Sequence, residues 1–157
     1  MKKLNLGCGK DIKEGWDNFD LNDFDLNKFP YPLEKNYYDY VLLSSVIDYL
    51  ENPFKSLVEL GKHCKKGAII EIYCAYWNCK GAYNTLWRSR GFSEDSFKYS
   101  LDVSGYNITG EHLFEVIELN SIPTKAGRFI YPGLLRKFIA KFLCGIIGQI
   151  HVKLKVV

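Results

Sequence analysis

The sequence lacks the features of a membrane-spanning, secreted or disulfide-stabilised protein. It has no apolar run near the roughly 18–20 residues that a membrane-spanning helix needs. The N-terminus soon reaches the charged pair Lys10-Asp11 and has no apolar stretch like that of a signal peptide. The 5 cysteines are an odd number at irregular spacings, which does not match a disulfide framework. We therefore expect a cytoplasmic protein.

A strong excess of one charge sign is also absent. The formal net charge of +3 over 157 residues is too small to indicate a nucleic-acid partner by itself, and we expect none. A hydrophobic fraction of 47% and a charged fraction of 25% are typical of a globular protein and exclude a disordered chain. The length favours a single domain, residues 1–157, with one core.

The hydrophobic pattern predicts alternating strands and helices. Short apolar runs predict strands at residues 4–6, 17–20, 38–43, 68–74, 113–122 and 150–157. Helices are predicted at residues 53–64, 93–101 and 134–142. The first helix has the clearest boundaries, because Asn52 is a suitable N-cap, Pro53 a suitable first residue and Gly67 a stop signal. Residues 20–35, rich in Asp, Asn and Pro, predict turns, and the whole order predicts an α/β fold with a mainly parallel sheet.

A glycine turn follows the first predicted strand. Gly7 and Gly9 allow positive φ and close approach of a ligand, and exposed amides at such a turn can receive a carboxylate or phosphate. The third glycine of a dinucleotide fingerprint is missing, since position 12 is Ile12, and the first acid after a strand, Asp20, comes early. The pattern therefore disfavours NAD and favours another nucleoside, whose ribose hydroxyls a carboxylate can bind.

A set of short motifs over residues 3–74 occurs in the order known from one enzyme family. The motifs are Leu4-Asn5-Leu6-Gly7-Cys8-Gly9-Lys10, Gly15-Trp16-x-Asn18-x-Asp20, residues 25–32 and 38–45, Asn52-Pro53 and Lys65-Lys66-Gly67. They resemble the compact, methyltransferase type 11-like members of the class I S-adenosylmethionine-dependent methyltransferases. The resemblance implies a Rossmann-like three-layer sandwich, with a mostly parallel seven-stranded sheet and an antiparallel last strand. It also implies S-adenosylmethionine as cofactor and S-adenosylhomocysteine as product.

The same resemblance implies a cofactor site built from the ends of three strands. Its cofactor-binding residues would be Leu6, Gly7, Cys8, Gly9, Asp20, Leu21, Asp25, Leu26, Ser44 and Ser45. The glycine turn would meet the methionine part and Asp20 the ribose hydroxyls. The adenine would lie beside Leu21, Asp25 and Leu26, and the sulfonium near the two serines.

The acceptor side of the site is less clear from the sequence. An aromatic cluster at the end of and after the strand at 68–74 could form an acceptor pocket or stabilise a sulfonium, although simple packing explains it somewhat better. Its members are Tyr73, Tyr76, Trp77, Tyr83 and Trp87. The candidate acceptor-binding residues are Tyr76 and Trp77, with Arg88 beyond the cluster. No catalytic base is assigned: His63 is expected on the surface at a helix end, His112 in a loop, and His151 inside a strand. The spacing of Cys64, Cys74, Cys79 and His63 fits no metal motif, and we expect no metal.

Three functions remain open at this point. The first is methyl transfer to a small-molecule, sugar or envelope-related acceptor. The second is a non-catalytic module that binds the cofactor or a partner, because Ser45, Asp48 and Tyr49 replace a His-x-x-Glu-His stretch common in the family. The third is contact with a membrane surface through the basic segment 134–155, although a core-facing helix and strand explain that pattern better. A homodimer that closes the site is a further expectation.

Overall fold

Six strands form one sheet in the computed structural model, which describes residues 1–88, 90–101 and 113–157. The strands are β1 (Lys3–Leu6), β2 (Asp17–Phe19), β3 (Tyr38–Ser44), β4 (Cys64–Ala75), β5 (Phe114–Pro123) and β6 (Ile147–Val156). The helices are α1 (Pro53–Gly61), α2 (Glu94–Leu101) and α3 (Gly133–Ile139). The alternation predicted from the sequence is therefore confirmed element by element.

The strand order is β2-β1-β3-β4-β6-β5. The first four strands in this order run parallel, and β6 is antiparallel to both of its neighbours. The fold is thus Rossmann-like, with a mostly parallel sheet and an antiparallel last strand. The described residues hold six strands, whereas the resemblance implied seven, because the chain between β2 and β3 forms turns. Tyr31 in that segment is buried and donates its hydroxyl to the Leu26 carbonyl at 2.8 Å, so the segment packs onto the core as an irregular loop.

One face of the sheet is apolar and lies beneath α1 and α2. Leu4, Val41, Ile70, Ile72, Ile150, Val152 and Leu154 point to this face and are fully buried. A Cβ added at Gly61 of α1 would lie 3.1 Å from the Phe114 ring, and Glu94 of α2 accepts a hydrogen bond from Ser121. Helix α1 connects β3 to β4, and α2 connects β4 to the parallel strand β5. Both crossovers run in the same direction across the sheet, and right-handed crossovers then place both helices on the same side.

The opposite face of the sheet is polar, and none of the three described helices lies on it, so the described residues do not show the second helix layer of the three-layer sandwich that the resemblance implied. Its side chains include Asn5, Tyr40, Glu71, Tyr73, His151, Lys153 and Glu118. Glu71 lies at its centre, with the Tyr73 hydroxyl at 3.2 Å, the His151 Nε2 at 2.7 Å and a further hydrogen bond from Tyr40. Burial alone would raise the pKa of Glu71, but these hydrogen bonds outweigh it and lower the pKa. We call this surface the polar face.

Helix α1 begins as the sequence predicts and ends earlier. The Asn52 side chain accepts a hydrogen bond from the Lys55 amide at 3.0 Å, which confirms the N-cap. The helix ends at Gly61, and the chain is already extended at Cys64, where it pairs with Tyr38 of β3. Gly67, expected to stop the helix, lies within β4 at φ +82°.

The expectation that His63 lies on the surface is also wrong, because α1 ends before this residue. The side chain is 2% exposed instead of lying on the surface, because the turn after α1 directs it into the core. Its Nε2 lies 3.6 Å from Glu59 and its ring stacks on Tyr31. His112 lies outside the described residues, and His151 is in a strand, as predicted.

Helix α3 does not face the core. None of its residues is buried, although the sequence pattern favoured a core-facing helix. The core contribution in this region comes instead from β6, which begins at Ile147 and not at residue 150. Among the described residues, no helix is long and apolar enough to cross a bilayer.

Candidate functional site

A cleft of about 790 Å³ opens at the carboxyl ends of β1, β2 and β3. This edge is where α/β sheets bind ligands, and the volume is within the usual range for small-molecule sites. The lining residues are Leu6, Gly7, Phe19, Asp20, Leu21, Phe24, Asp25, Leu26, Asn27, Ser45, Val46, Tyr49, Leu50, Glu51 and Trp87. The walls are therefore mainly aliphatic and aromatic, with a few polar groups.

The glycine turn forms the floor of the cleft next to β1. Gly7 has φ +65°, and a Cβ at this position would lie 2.4 Å from a Val46 methyl group. Only glycine fits here, both for conformation and for space. The amides of Gly7 and Cys8 donate to the Phe19 carbonyl at 2.8 and 3.2 Å. The sequence suggested exposed amides at this turn, but these two are used to join β1 to the end of β2.

Three carboxylates line the cleft, and no lysine, arginine or histidine among the described residues does so. Asp20 directly follows β2, Asp25 lies in the loop after it, and Glu51 precedes α1. Within the described part of the chain, no hydrogen-bond donor contacts the Asp20 carboxylate, while the Asp20 amide donates to Asp23 at 2.8 Å. The cleft therefore favours a ligand with positive charge and hydroxyl groups.

The loop that carries Asp25 and Leu26 is fixed by hydrogen bonds to its neighbours. The Asp25 carboxylate accepts from the Asn27 amide at 2.9 Å, and the Asn27 side chain accepts from the Glu51 amide at 2.9 Å. The Leu26 carbonyl accepts from Ser56 of α1 at 3.3 Å. These contacts hold the loop against α1 and keep that wall of the cleft in place.

The far wall contains Tyr49 and Trp87, which a buried ion pair brings together. The Arg88 guanidinium lies 3.7 Å from the Asp48 carboxylate and 4.9 Å from the centre of the Tyr49 ring. Asp48 is fully buried and accepts from the Ala75 amide at 2.9 Å. Burial raises the pKa of the Asp48 carboxyl, against the opposing effects of that amide and of Arg88. The pair thus links the chain before α1 to the segment that carries Trp87.

Seven of the ten predicted cofactor residues line the cleft. They are Leu6, Gly7, Asp20, Leu21, Asp25, Leu26 and Ser45. Cys8, Gly9 and Ser44 are outside its lining: Cys8 is buried behind the turn, and Ser44 is the last residue of β3. Their contact with a cofactor stays a prediction.

The three predicted acceptor residues are also outside the lining. Tyr76 is buried and its strand-like backbone pairs with Phe92, while Trp77 is partly exposed next to it. The Arg88 side chain is only 10% exposed, because it pairs with Asp48 and donates to the Gly81 carbonyl. The aromatic cluster expected after β4 is dispersed, since Tyr73 lies on the polar face, stacked on His151 at 4.4 Å.

Sequence reasoning missed several residues of the cleft. Tyr49 and Glu51 lie in the segment between β3 and α1, so their position after a central parallel strand was a usable signal. Trp87 was expected as part of the aromatic cluster after β4 and does line the cleft, where its neighbour Arg88 pairs with the buried Asp48.

The overall fold is shared with proteins of known structure. No protein-family model matches the chain, and no curated protein matches it at the sequence level. A SAM-dependent methyltransferase from Archaeoglobus fulgidus matches with a TM-score of 0.65 and 14% identity, over 98% of this chain and 85% of that chain. The chain has the fold of the S-adenosylmethionine-dependent methyltransferases.

Other structures with this methyltransferase fold differ in their described roles. A complex of the Haloferax volcanii Trm112 methyltransferase activator with a putative methyltransferase matches with a TM-score of 0.58 and 12% identity, over 96% and 81% of the two chains. The [4+2]-cyclase SpnF matches with a TM-score of 0.61 and 12% identity, over 98% and 74%. At these identities, the likeness shows the fold alone.

The residues of the cleft fit the cofactor that this methyltransferase fold implies. Gly7 lines the cleft with backbone alone, and the Asp20 carboxylate has acceptor capacity for two neighbouring hydroxyls. The apolar side chains of Phe19, Leu21 and Leu26 provide flat contact for a purine ring.

Proposed function

We propose that the chain is an S-adenosylmethionine-dependent methyltransferase acting on a small-molecule, sugar or envelope-related acceptor. The observation that carries the proposal is the cleft lining, which has three carboxylates and no cationic side chain among the described residues. S-adenosylmethionine has a sulfonium and an ammonium group against one carboxylate, so a negative cleft attracts it. A dinucleotide pyrophosphate would be repelled. The cytoplasmic location stays a prediction from the sequence.

Each wall of the cleft has a part in this proposal. Asp20 binds the ribose hydroxyls, and the turn at Gly7 borders the methionine part. Tyr49 and Trp87 offer aromatic faces that stabilise a cation. When bound, the cofactor supplies a methyl carbon activated by the neighbouring positive sulfur. The chain contributes by holding donor and acceptor in line and by excluding water, and both effects lower the barrier.

Calorimetric titration of S-adenosylmethionine and S-adenosylhomocysteine tests the cofactor site. We expect micromolar binding to the unaltered protein. Asp20→Asn keeps the shape of the side chain but removes a charged hydrogen-bond acceptor, so it should weaken both affinities by at least about tenfold. Asp95→Asn makes the same chemical change at an exposed site on α2 and should leave binding unchanged.

Two results of this titration would refute the proposal or part of it. Absence of binding and of thermal stabilisation at millimolar cofactor would refute it, provided that circular dichroism shows a folded protein. Equal loss of binding in Asp20→Asn and Asp95→Asn would refute the assignment of Asp20.

A cofactor-binding module without methyl transfer is the second candidate. The SpnF structure, described as a cyclase, favours it, because this fold also occurs in a protein named for another reaction. Turnover separates the two candidates: production of S-adenosylhomocysteine with any tested acceptor supports the transferase. A protein partner is a further candidate, since the Haloferax methyltransferase was found with an activator. A homodimer stays a prediction.

A further inference from the structure

Exposed apolar side chains are concentrated in residues 125–143, which we call the edge segment. Phe129, Tyr131 and Leu134 are 91%, 85% and 82% exposed. Leu135, Phe138, Phe142 and Leu143 of the same segment are also exposed, and the rings of Phe138 and Phe142 are 5.3 Å apart. Soluble surfaces rarely expose so many large apolar side chains together, and such patches mark interaction sites.

The edge segment is a folded part of the molecule. The Arg136 side chain donates to the Gly127 carbonyl at 2.8 Å and to the Ile130 carbonyl at 3.1 Å. Asn78, in the chain after β4, donates to the Ala140 carbonyl at 2.9 Å. A Cβ at Gly127 would lie 1.9 Å from the Ile146 oxygen, so the backbone is tightly fitted there. The apolar side chains are therefore held outward by a fixed backbone.

The charge of the edge segment has one sign. It contains Lys125, Arg128, Arg136, Lys137 and Lys141, and the sequence has no aspartate or glutamate after Glu118. Contact between two copies of this surface would bring like charges together, which disfavours a symmetric dimer at this site. An apolar surface with surrounding cations instead fits the boundary between anionic headgroups and acyl chains.

We propose that the edge segment binds the surface of an anionic phospholipid membrane. The aromatic and aliphatic side chains enter the interfacial layer, while Lys125, Arg128 and Lys141 contact the headgroups; Arg136 holds the backbone of the segment and Lys137 lies 3.9 Å from Glu94. Because β5 runs parallel to β4, its last residue, Pro123, lies at the carboxyl edge of the sheet. The edge segment therefore projects from the same edge that holds the cleft, and the bound protein presents the cleft toward the lipid surface. The proposal does not depend on cofactor binding.

Vesicle co-sedimentation tests the proposal on the full chain. The protein should pellet with vesicles of equal parts phosphatidylcholine and phosphatidylglycerol, and much less with phosphatidylcholine alone. Arg128→Gln with Lys141→Gln should lower the partition coefficient on the order of thirtyfold, from about 1 kcal/mol for each cation at an anionic surface. Lys35→Gln with Lys66→Gln makes the same change in net charge at exposed sites near the opposite edge, and should lower it far less.

The apolar part of the surface has its own test. Leu134→Ser with Phe138→Ser should lower the partition coefficient at least about tenfold, since both side chains lose their burial in the interface. Ile12→Ser with Ile117→Ser removes two exposed apolar side chains elsewhere and should have little effect. All four positions are exposed, so circular dichroism should show a folded protein in each variant.

Three results would overturn the proposal. One is the absence of pelleting with anionic vesicles at low salt, and another is pelleting that the edge-segment variants leave unchanged. The third is a dimer in sedimentation analysis that Leu134→Ser with Phe138→Ser converts to monomer, which would assign the surface to a second copy. Loss of vesicle binding with intact cofactor binding, in the same variants, would support the membrane surface and leave the cleft unaffected.

Discussion

Neighbouring side chains along β4 reach two very different surroundings. Ile70 and Ile72 point beneath α1 and α2, where they are completely buried by aliphatic side chains. Glu71 and Tyr73 point to the polar face, where hydroxyls, an imidazole and an ammonium group surround one carboxylate. The comparison shows that a central strand can be stabilised by packing on one face and by a polar network on the other. In the described residues, no helix covers the second face.

The largest effect is expected on the helix-covered face. Ile72→Ala should lower the free energy of unfolding by about 3 kcal/mol, because it leaves a cavity that the packed core cannot fill. Ile69→Ala, a partly buried site on the other face of the same strand, is the control and should cost less than half as much. Urea denaturation of both variants measures the difference. Equal losses would mean that the two faces do not differ as described.

An intermediate effect is expected at the centre of the polar face. Glu71→Gln retains the shape of the side chain but removes the charge that Tyr40, Tyr73 and His151 contact. The free energy of unfolding at neutral pH should fall by roughly 1–2 kcal/mol, as for loss of charged hydrogen bonds that are partly screened by solvent.

The pH dependence of that variant separates charge from shape. The pKa of Glu71 is lower in the folded protein than in the unfolded chain, so the unfolded chain binds more protons in acid. The stabilisation by Glu71 is complete above its ordinary pKa of about 4.3 and is lost as the pH falls below it. The slope of stability against pH in this range should be shallower in Glu71→Gln. An unchanged slope would contradict a role for the ionised carboxylate.

The smallest effect is expected at the exposed end of the polar face. Lys155 and Glu115 form an ion pair at 3.2 Å, and both side chains are about half exposed. Lys155→Ala should change the free energy of unfolding by less than about 0.5 kcal/mol, because solvent screens the pair. A loss similar to that of Glu71→Gln would show that the whole polar face acts as one network.

Local signals in the sequence were sufficient for most of the fold. The apolar runs gave the strands, and Asn52-Pro53 gave the start of α1. The predicted end of α1 was wrong because Lys65-Lys66-Gly67 resembles a helix terminus. In the structure, Cys64 already pairs with Tyr38 and belongs to β4. The exposure of α3 was also missed, since an amphipathic pattern is the same for a helix on a core and for one at an interface.

The candidate site was predictable along one wall only. Gly7 and Asp20 follow strands whose carboxyl ends meet, so their proximity follows from the fold. Arg88 was taken as a residue for the acceptor, but its charge serves to neutralise a buried carboxylate. That pairing joins residues 40 positions apart, so no local sequence pattern predicts it. Trp87 was expected from the aromatic cluster after β4, but its position beside Tyr49 could not be derived from the sequence.

Strand β2 has a consequence for how the cleft responds to a ligand. It has three residues, lies at the edge of the sheet and pairs with β1 alone. Short edge elements open locally at low free energy, whereas β4, paired along both sides, opens last. The Asp20 wall is thus attached to the least cooperative part of the sheet. A ligand held there would suppress the fraying of that edge and stabilise the folded protein, while the free energy needed to order the edge would lower its observed affinity.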